Sequence, residues 1–369
     1  MDTLHNKGIW VFLSHSNEDY EKVRKVRNLL EEQELRPIMF FLKCLNDDDE
    51  IDELIKREID CRTRFILCDS ENARKSKWVQ REIEYIKSQQ KPYEIINLSK
   101  NENEILEQLK EVRRRSKLFI SYARKDQALA SHIYNRLSKY DYDVFIDYNN
   151  ILSVESFATR IKDEIESTIK TGCVIALLTN HGLQSEWVNN EVNFALQYDE
   201  DHNFKRGSVI PVVIGNSVPD NLTDIQCIKL PLETNDLPDV IVDAILSRLL
   251  SPGEILTYYN NFRNGINCKK DLDESERLGK LYFRLASKFD AECRPTAIVA
   301  LGYCYEYGIG TEIDLEKAYN QYSDYVSNDG HGREHAKRVH RKLHPEQYIQ
   351  TRKESSVKGI FNKIFNRKK

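Results

Sequence analysis

Between residues 117 and 250 the apolar and polar positions follow two rhythms. Short runs of consecutive apolar residues have the length and β-branched content of strands buried on both faces. They are KLFIS (117–121), DVFID (143–147), CVIALLT (173–179) and SVIPVVIG (208–215). Between them, apolar residues recur every three or four positions. Ile133 and Leu137 mark one face of a helix from about Gln127 to Lys139. Phe157, Ile161, Ile165 and Ile169 stripe a second helix over 157–170, the residues from Ser185 open a third, and a fourth closes the segment near 237–250. This alternation predicts an α/β fold, a parallel sheet covered by helices and wound like flavodoxin, with its site at the carboxyl ends of the strands. Ser121, Asp147 and Thr179 fall at those ends.

The same pattern is written twice. FLSHSNED (12–19) returns as FISYARKD (119–126), and SKWVQRE (76–82) returns as SEWVNNE (185–191). From Asp19 to Trp78 is 59 residues (78 minus 19), and from Asp126 to Trp187 is 61 (187 minus 126). Two landmarks that keep their separation imply two copies of one domain.

Composition narrows the function classes. The chain has 369 residues, enough for two or three domains, and its formal net charge of −4 gives no general attraction to nucleic acid. The first residues, MDTLHNKG, lack the basic start and apolar core of a signal peptide, and the apolar runs are short of a membrane span. The eight cysteines form no C-x-x-C pair, and Cys68 and Cys173 lie in strand-like runs as small apolar residues. A reduced, cytoplasmic protein without structural zinc is expected.

FISYARKD, then a V-F-x-D strand end, then I-L-x-x-E-S-F, then an apolar strand leading to S-x-W-x-x-x-E, together resemble the Toll/interleukin receptor (TIR) domain family. The resemblance covers roughly 117–250 and, more weakly, 8–100. It implies a first, divergent TIR domain over 1–115 and a second over 116–251. Some TIR domains are protein–protein adaptors. Others, of bacterial and plant type, break the nicotinamide–ribose bond of NAD in immune or stress signalling, giving ADP-ribose or a cyclised relative. In those the glutamate four residues after the tryptophan is catalytic, which points to Glu191 and, as the second candidate, Glu82. Ser121, Tyr122, Asp147, Asn149, Phe157 and Trp187 would then line the substrate site. NAD enters as a substrate, and no cofactor or metal is implied.

The chemistry suits a single carboxylate. Glycosidases ordinarily use two because one protonates the leaving group, but nicotinamide departs as a neutral molecule. An ionised carboxylate can then stabilise an oxocarbenium-like ribose. Against this, a glutamate early in a helix is ordinarily a solvated residue favoured by the helix dipole, and a nearby tryptophan is ordinarily packing. The copies also differ. The loop after DVFID carries only Glu155, whereas its counterpart, LNDDDEIDE (45–53), holds six acidic residues that would repel a diphosphate. Leu42 stands near where the second copy has Asp147, which favours Glu191. The Pro-Gly usual in the family is replaced by Ser153-Val154, a departure that touches loop shape and partner contacts. TIR domains commonly stack on one another, so self-association is the expected partnership. The acidic loop either serves such contacts or is simply solvated.

After Pro252 the chain turns to Tyr- and Ala-rich helices. ALGYCYEYGIGTEIDLEKAYNQYSDY (300–325) resembles one Sel-one-like repeat, a helical hairpin related to tetratricopeptide repeats, with weaker echoes upstream over 252–345. Gly302 would allow close helix packing, Gly308 and Gly310 would turn the chain, and Ala318 would pack inside the hairpin. Such arrays bind a protein partner or pack on their own chain. The tail, 346–369, ends in SSVKGIFNKIFNRKK, basic and amphipathic, which suits weak contact with an anionic membrane surface or a terminal helix packed on the repeats.

Overall fold

A computed structural model describes residues 9–33, 35–39, 48–114, 117–146, 172–202, 208–215, 217–291, 295–325 and 330–346. The chain divides into two compact units, Met1–Thr257 and Tyr258–Lys369.

The first unit holds both α/β repeats. In the first, β1 (Trp10–Ser14), α1 (Tyr20–Glu32), β2 (Arg36–Ile38), α2 (Asp48–Asp60), β3 (Arg64–Asp69), α3 (Glu71–Lys75), α4 (Lys77–Ser88), β4 (Glu94–Asn97) and α5 (Glu102–Arg114) follow in order. The strands form a parallel sheet of order β2-β1-β3-β4. In the second repeat, β5 (Lys117–Ser121), α6 (Gln127–Leu137), β6 (Asp143–Ile146), β7 (Gly172–Leu178), α7 (Asn180–Leu183), α8 (Glu186–His202), β8 (Val209–Ile214), β9 (Ile228–Leu230) and α9 (Leu237–Leu249) follow, and the parallel order is β6-β5-β7-β8-β9. The winding is the flavodoxin-like one expected, and the registers correspond: Phe12 pairs with Phe65 as Phe119 pairs with Val174. The expected helix over 157–170 lies outside the described residues, and β9 is an addition to the sequence reading.

Alternation along each strand fills both faces. Val11 and Leu13 pack with Val23, Val26 and Leu30 of α1, while Phe12 between them packs with Ile55 and Ile59 of α2 and with Ile83 and Ile86 of α4. In the second copy Phe119, Val174 and Ala176 meet Val188, Val192 and Ala195 of α8. The strand order reverses at β1 and at β5, which puts the topological switch point at the carboxyl ends of β1 and β3, and again of β5 and β7.

The second unit is helical. After α10 (Pro252–Asn264), which spans the boundary, come α11 (Leu272–Ala291), α12 (Pro295–Tyr307), α13 (Leu315–Tyr325) and α14 (Gly330–Leu343). A Cβ at Gly302 would stand 2.7 Å from the Tyr322 ring, so glycine lets α12 and α13 meet. Gly308 and Gly310 turn the hairpin at φ +69° and +68°, and Ala318 is fully buried in it. Glu306 of α12 ties down α14: Arg338 donates at 2.9 and 2.6 Å and Lys342 at 2.7 Å, while the Tyr322 hydroxyl donates at 3.0 Å. Burial pushes this carboxyl up, but the two cations outweigh it and hold the group at about 2. Among the described residues no helix is long and apolar enough to cross a membrane. The basic tail, 355–369, lies outside them.

Candidate carboxylate sites at the strand ends

The repeated S-x-W-V-x-x-E segment has a physical reading at every fixed position. Ser76 caps α4 by accepting from the Val79 amide at 3.4 Å, and Ser185 caps α8 from the Val188 amide at the same distance. Val79 and Val188 are buried in the helix–sheet seam. The glutamate, in the second turn, faces inward: Glu191 is 5% exposed and Glu82 is 9% exposed. Neither is the solvated helix residue that the isolated motif suggests.

Each glutamate is held by the last residue of the first strand of its repeat. The Ser121 hydroxyl, ending β5, donates to Glu191 Oε2 at 2.5 Å, and Ser14, ending β1, donates to Glu82 Oε2. Burial raises the Glu82 carboxyl to about 7, against a smaller downward pull from Ser14.

A second tie is common to both copies and escaped the sequence reading. The Thr179 hydroxyl donates to Asp126 Oδ2 at 2.6 Å and, by accepting from the His181 and Gly182 amides, caps α7. In the first copy Ser70 donates to Asp19 and caps α3 through the Ala73 amide, and Asn72 adds a bond to Asp19 at 3.1 Å. The loops after the two central strands are thus pinned together beside each carboxylate. The signal was present, since both FLSHSNED and FISYARKD end in Asp and a hydroxyl residue directly follows both buried strands.

Of the sequence candidates, Ser121 and Glu191 are in direct contact, and Tyr122 follows Ser121 half-buried. Trp187 stands one helical turn before Glu191 with its side chain 41% exposed. Trp78 instead packs partly on the first copy's core, with the Arg81 guanidinium 5.2 Å from its ring centroid. Asp147, Asn149 and Phe157, like Leu42 of the first copy, lie outside the described residues. Cys68 is fully buried in β3, where burial pushes its thiol up to about 12. Among the described residues, no three His, Cys, Asp or Glu side chains converge as metal ligands.

A family model described as the TIR domain matches residues 11–115 and again 118–240. No curated protein and no solved structure matches the chain.

Proposed function

The chain belongs to the TIR domain family, carrying the domain twice, and from this premise we propose that it cleaves NAD between nicotinamide and ribose with Glu191 as the catalytic residue. The observation that carries the proposal is the buried Glu191 carboxylate, held by Ser121 at the carboxyl end of β5 where the sheet reverses. The glycosidic C–N bond breaks with its electron pair leaving on the nicotinamide nitrogen. The positive charge that develops on the ribose lies against Glu191, whose burial strengthens the attraction. Water then captures the ribosyl centre and loses a proton, giving ADP-ribose. Capture by a nucleophile of the same molecule gives a cyclic product, and chromatography of the products separates the two. Ser121 positions Glu191, and the exposed ring of Trp187 offers a flat wall for nicotinamide.

The first copy is the weaker candidate. The Leu42 that stands near the position of Asp147 departs from the second copy's candidate set. The acidic run 45–53 adds repulsion toward a diphosphate.

One observation favours a second, non-enzymatic reading. The Ser–Glu bond recurs in both copies, so it can serve as a helix–strand tie in an adaptor that acts only through contacts. The two readings part in a purified-protein assay of nicotinamide release. Under the first, Glu191→Ala abolishes turnover and Glu82→Ala spares it; under the second, the wild type is inert even when concentrated or crowded.

For the remaining parts we propose that the TIR copies self-associate, as the family commonly does, and that the protein works in a reducing cytoplasm. The helical unit serves as a Sel-one-like protein-docking array, and the basic tail as a weak membrane-surface contact. The close approach at Gly302 and the turns at Gly308 and Gly310 fit the hairpin of the Sel-one-like motif.

A further inference from the structure

The strongest polar cluster unused by this chemistry lies where the two TIR copies meet. Arg64 is the first residue of β3, and Glu254 stands in the first turn of α10, directly after the second copy. Arg64 Nη1 donates to Glu254 Oε1 at 2.6 Å, with the side chains only 6% and 2% exposed. Glu254 is fixed from its own side by a reciprocal cap: its Oε2 accepts from the Ser251 amide at 2.8 Å while Ser251 Oγ accepts from the Glu254 amide. Tyr142, buried just before β6, lies with its ring centroid 5.8 Å from the guanidinium carbon.

The surrounding contacts are of one kind. A Cβ at Gly253 would stand 1.9 Å from the Gln89 carbonyl oxygen, in the turn that leads into β4. Lys91, in the same turn, donates to the carbonyls of Ile59, Asp60 and Arg62 at 2.6, 3.0 and 3.1 Å, closing the end of α2. α5 of the first copy touches β7 of the second. Arg64, Gln89 and Lys91 mark strand starts of the first copy, and Tyr142 marks a strand start of the second.

We propose that Arg64 and Glu254 are a buried latch that fastens the first TIR copy to the second, strand start against strand start, with the carboxylate sites opening away from each other. β1 and β5 have five residues each, so each carboxylate lies ~16 Å beyond the contact on its own side. The first copy therefore backs the second and does not close over Glu191. The bearing on Glu191 rests on the NAD-cleaving proposal, but the latch itself does not.

The chain's three tryptophans test the latch without any activity. Trp187→Phe leaves Trp10 and Trp78 to report the first copy, and Trp10→Phe with Trp78→Phe leaves Trp187 to report the second. With the latch intact, urea unfolding followed by fluorescence gives one shared midpoint in the two full-length reporters. Glu254→Gln keeps the helix cap but removes the charge, leaving Arg64 buried without its anion, and splits the midpoints, the first copy unfolding earlier. If Glu254→Gln does not fold, Arg64→Met with Glu254→Leu restores one midpoint by apolar packing. Separate midpoints in the parent reporters, or a shared midpoint unmoved by Glu254→Gln, would overturn the latch.

Discussion

Around Glu82 and around Glu191 the chain builds one frame and furnishes it differently. A capping serine, a buried valine, an inward glutamate bonded to a strand-end serine, and an aspartate bonded to a capping hydroxyl occur in both copies. After the strand-end serine comes His15 in one copy and Tyr122 in the other. The tryptophan of the first copy is packed on its core under Arg81, whereas Trp187 is presented outward. The shared parts hold the fold at the sheet's reversal point. The parts that diverge are those the proposed substrate would meet, where the second copy presents an exposed tryptophan and a less acidic loop sequence.

Four sets of substitutions break or sharpen this contrast. The largest effect belongs to the serines. Ser121→Ala frees the Glu191 carboxylate and lowers NAD turnover by roughly ten- to a hundredfold with KM within about twofold, since misplacement of a catalytic group carries costs of that order. Ser14→Ala leaves turnover within about twofold.

Next is the charge state of Glu82. Its folded pKa of about 7 lies above the ordinary 4.5, so the folded state holds the proton more tightly than the unfolded one. Relative to an unburied carboxyl, the penalty is absent below about pH 4.5, grows as pH rises through 7, and is complete above it. Glu82→Gln therefore stabilises the chain by about 2–3 kcal/mol at pH 8 relative to its effect at pH 4, read from its urea unfolding midpoint.

The aspartate ties belong to the shared frame and test its equivalence. Asp19→Ala and Asp126→Ala each lower the chain's shared unfolding midpoint by the equivalent of about 1–3 kcal/mol, because each leaves a capping hydroxyl short of an acceptor. A large cost from one substitution and none from the other would show that the frame is not shared.

The smallest effect separates the tryptophans. Trp78→Ala lowers the stability of the first copy by about 1–2 kcal/mol through lost packing. Trp187→Ala costs less stability than Trp78→Ala and raises KM for NAD a few-fold, measured by initial rates.

How much of this was legible follows from how far apart the interacting residues lie. KLFIS and VIPVVI announce buried strands because their character is local, and β5 spans the expected residues while β8 sits inside its run. The internal repeat located both glutamates. Their burial was not legible, because the bonds from Ser14 and Ser121 join residues 68 and 70 positions apart. The aspartate ties span 51 and 53 positions, and the Arg64–Glu254 latch spans 190, beyond any periodicity. β9 is three residues long, with a lysine at its centre, and offers no apolar run to read.

The central claim is that one of two similar glutamates is a reagent. Its most direct test is nicotinamide release from NAD by the full chain, compared with Glu191→Gln and Glu82→Gln, which keep side-chain shape and remove charge. The account predicts a loss of about 100-fold or more for Glu191→Gln and little change for Glu82→Gln. Turnover undiminished by Glu191→Gln, or abolished by Glu82→Gln alone, would contradict it.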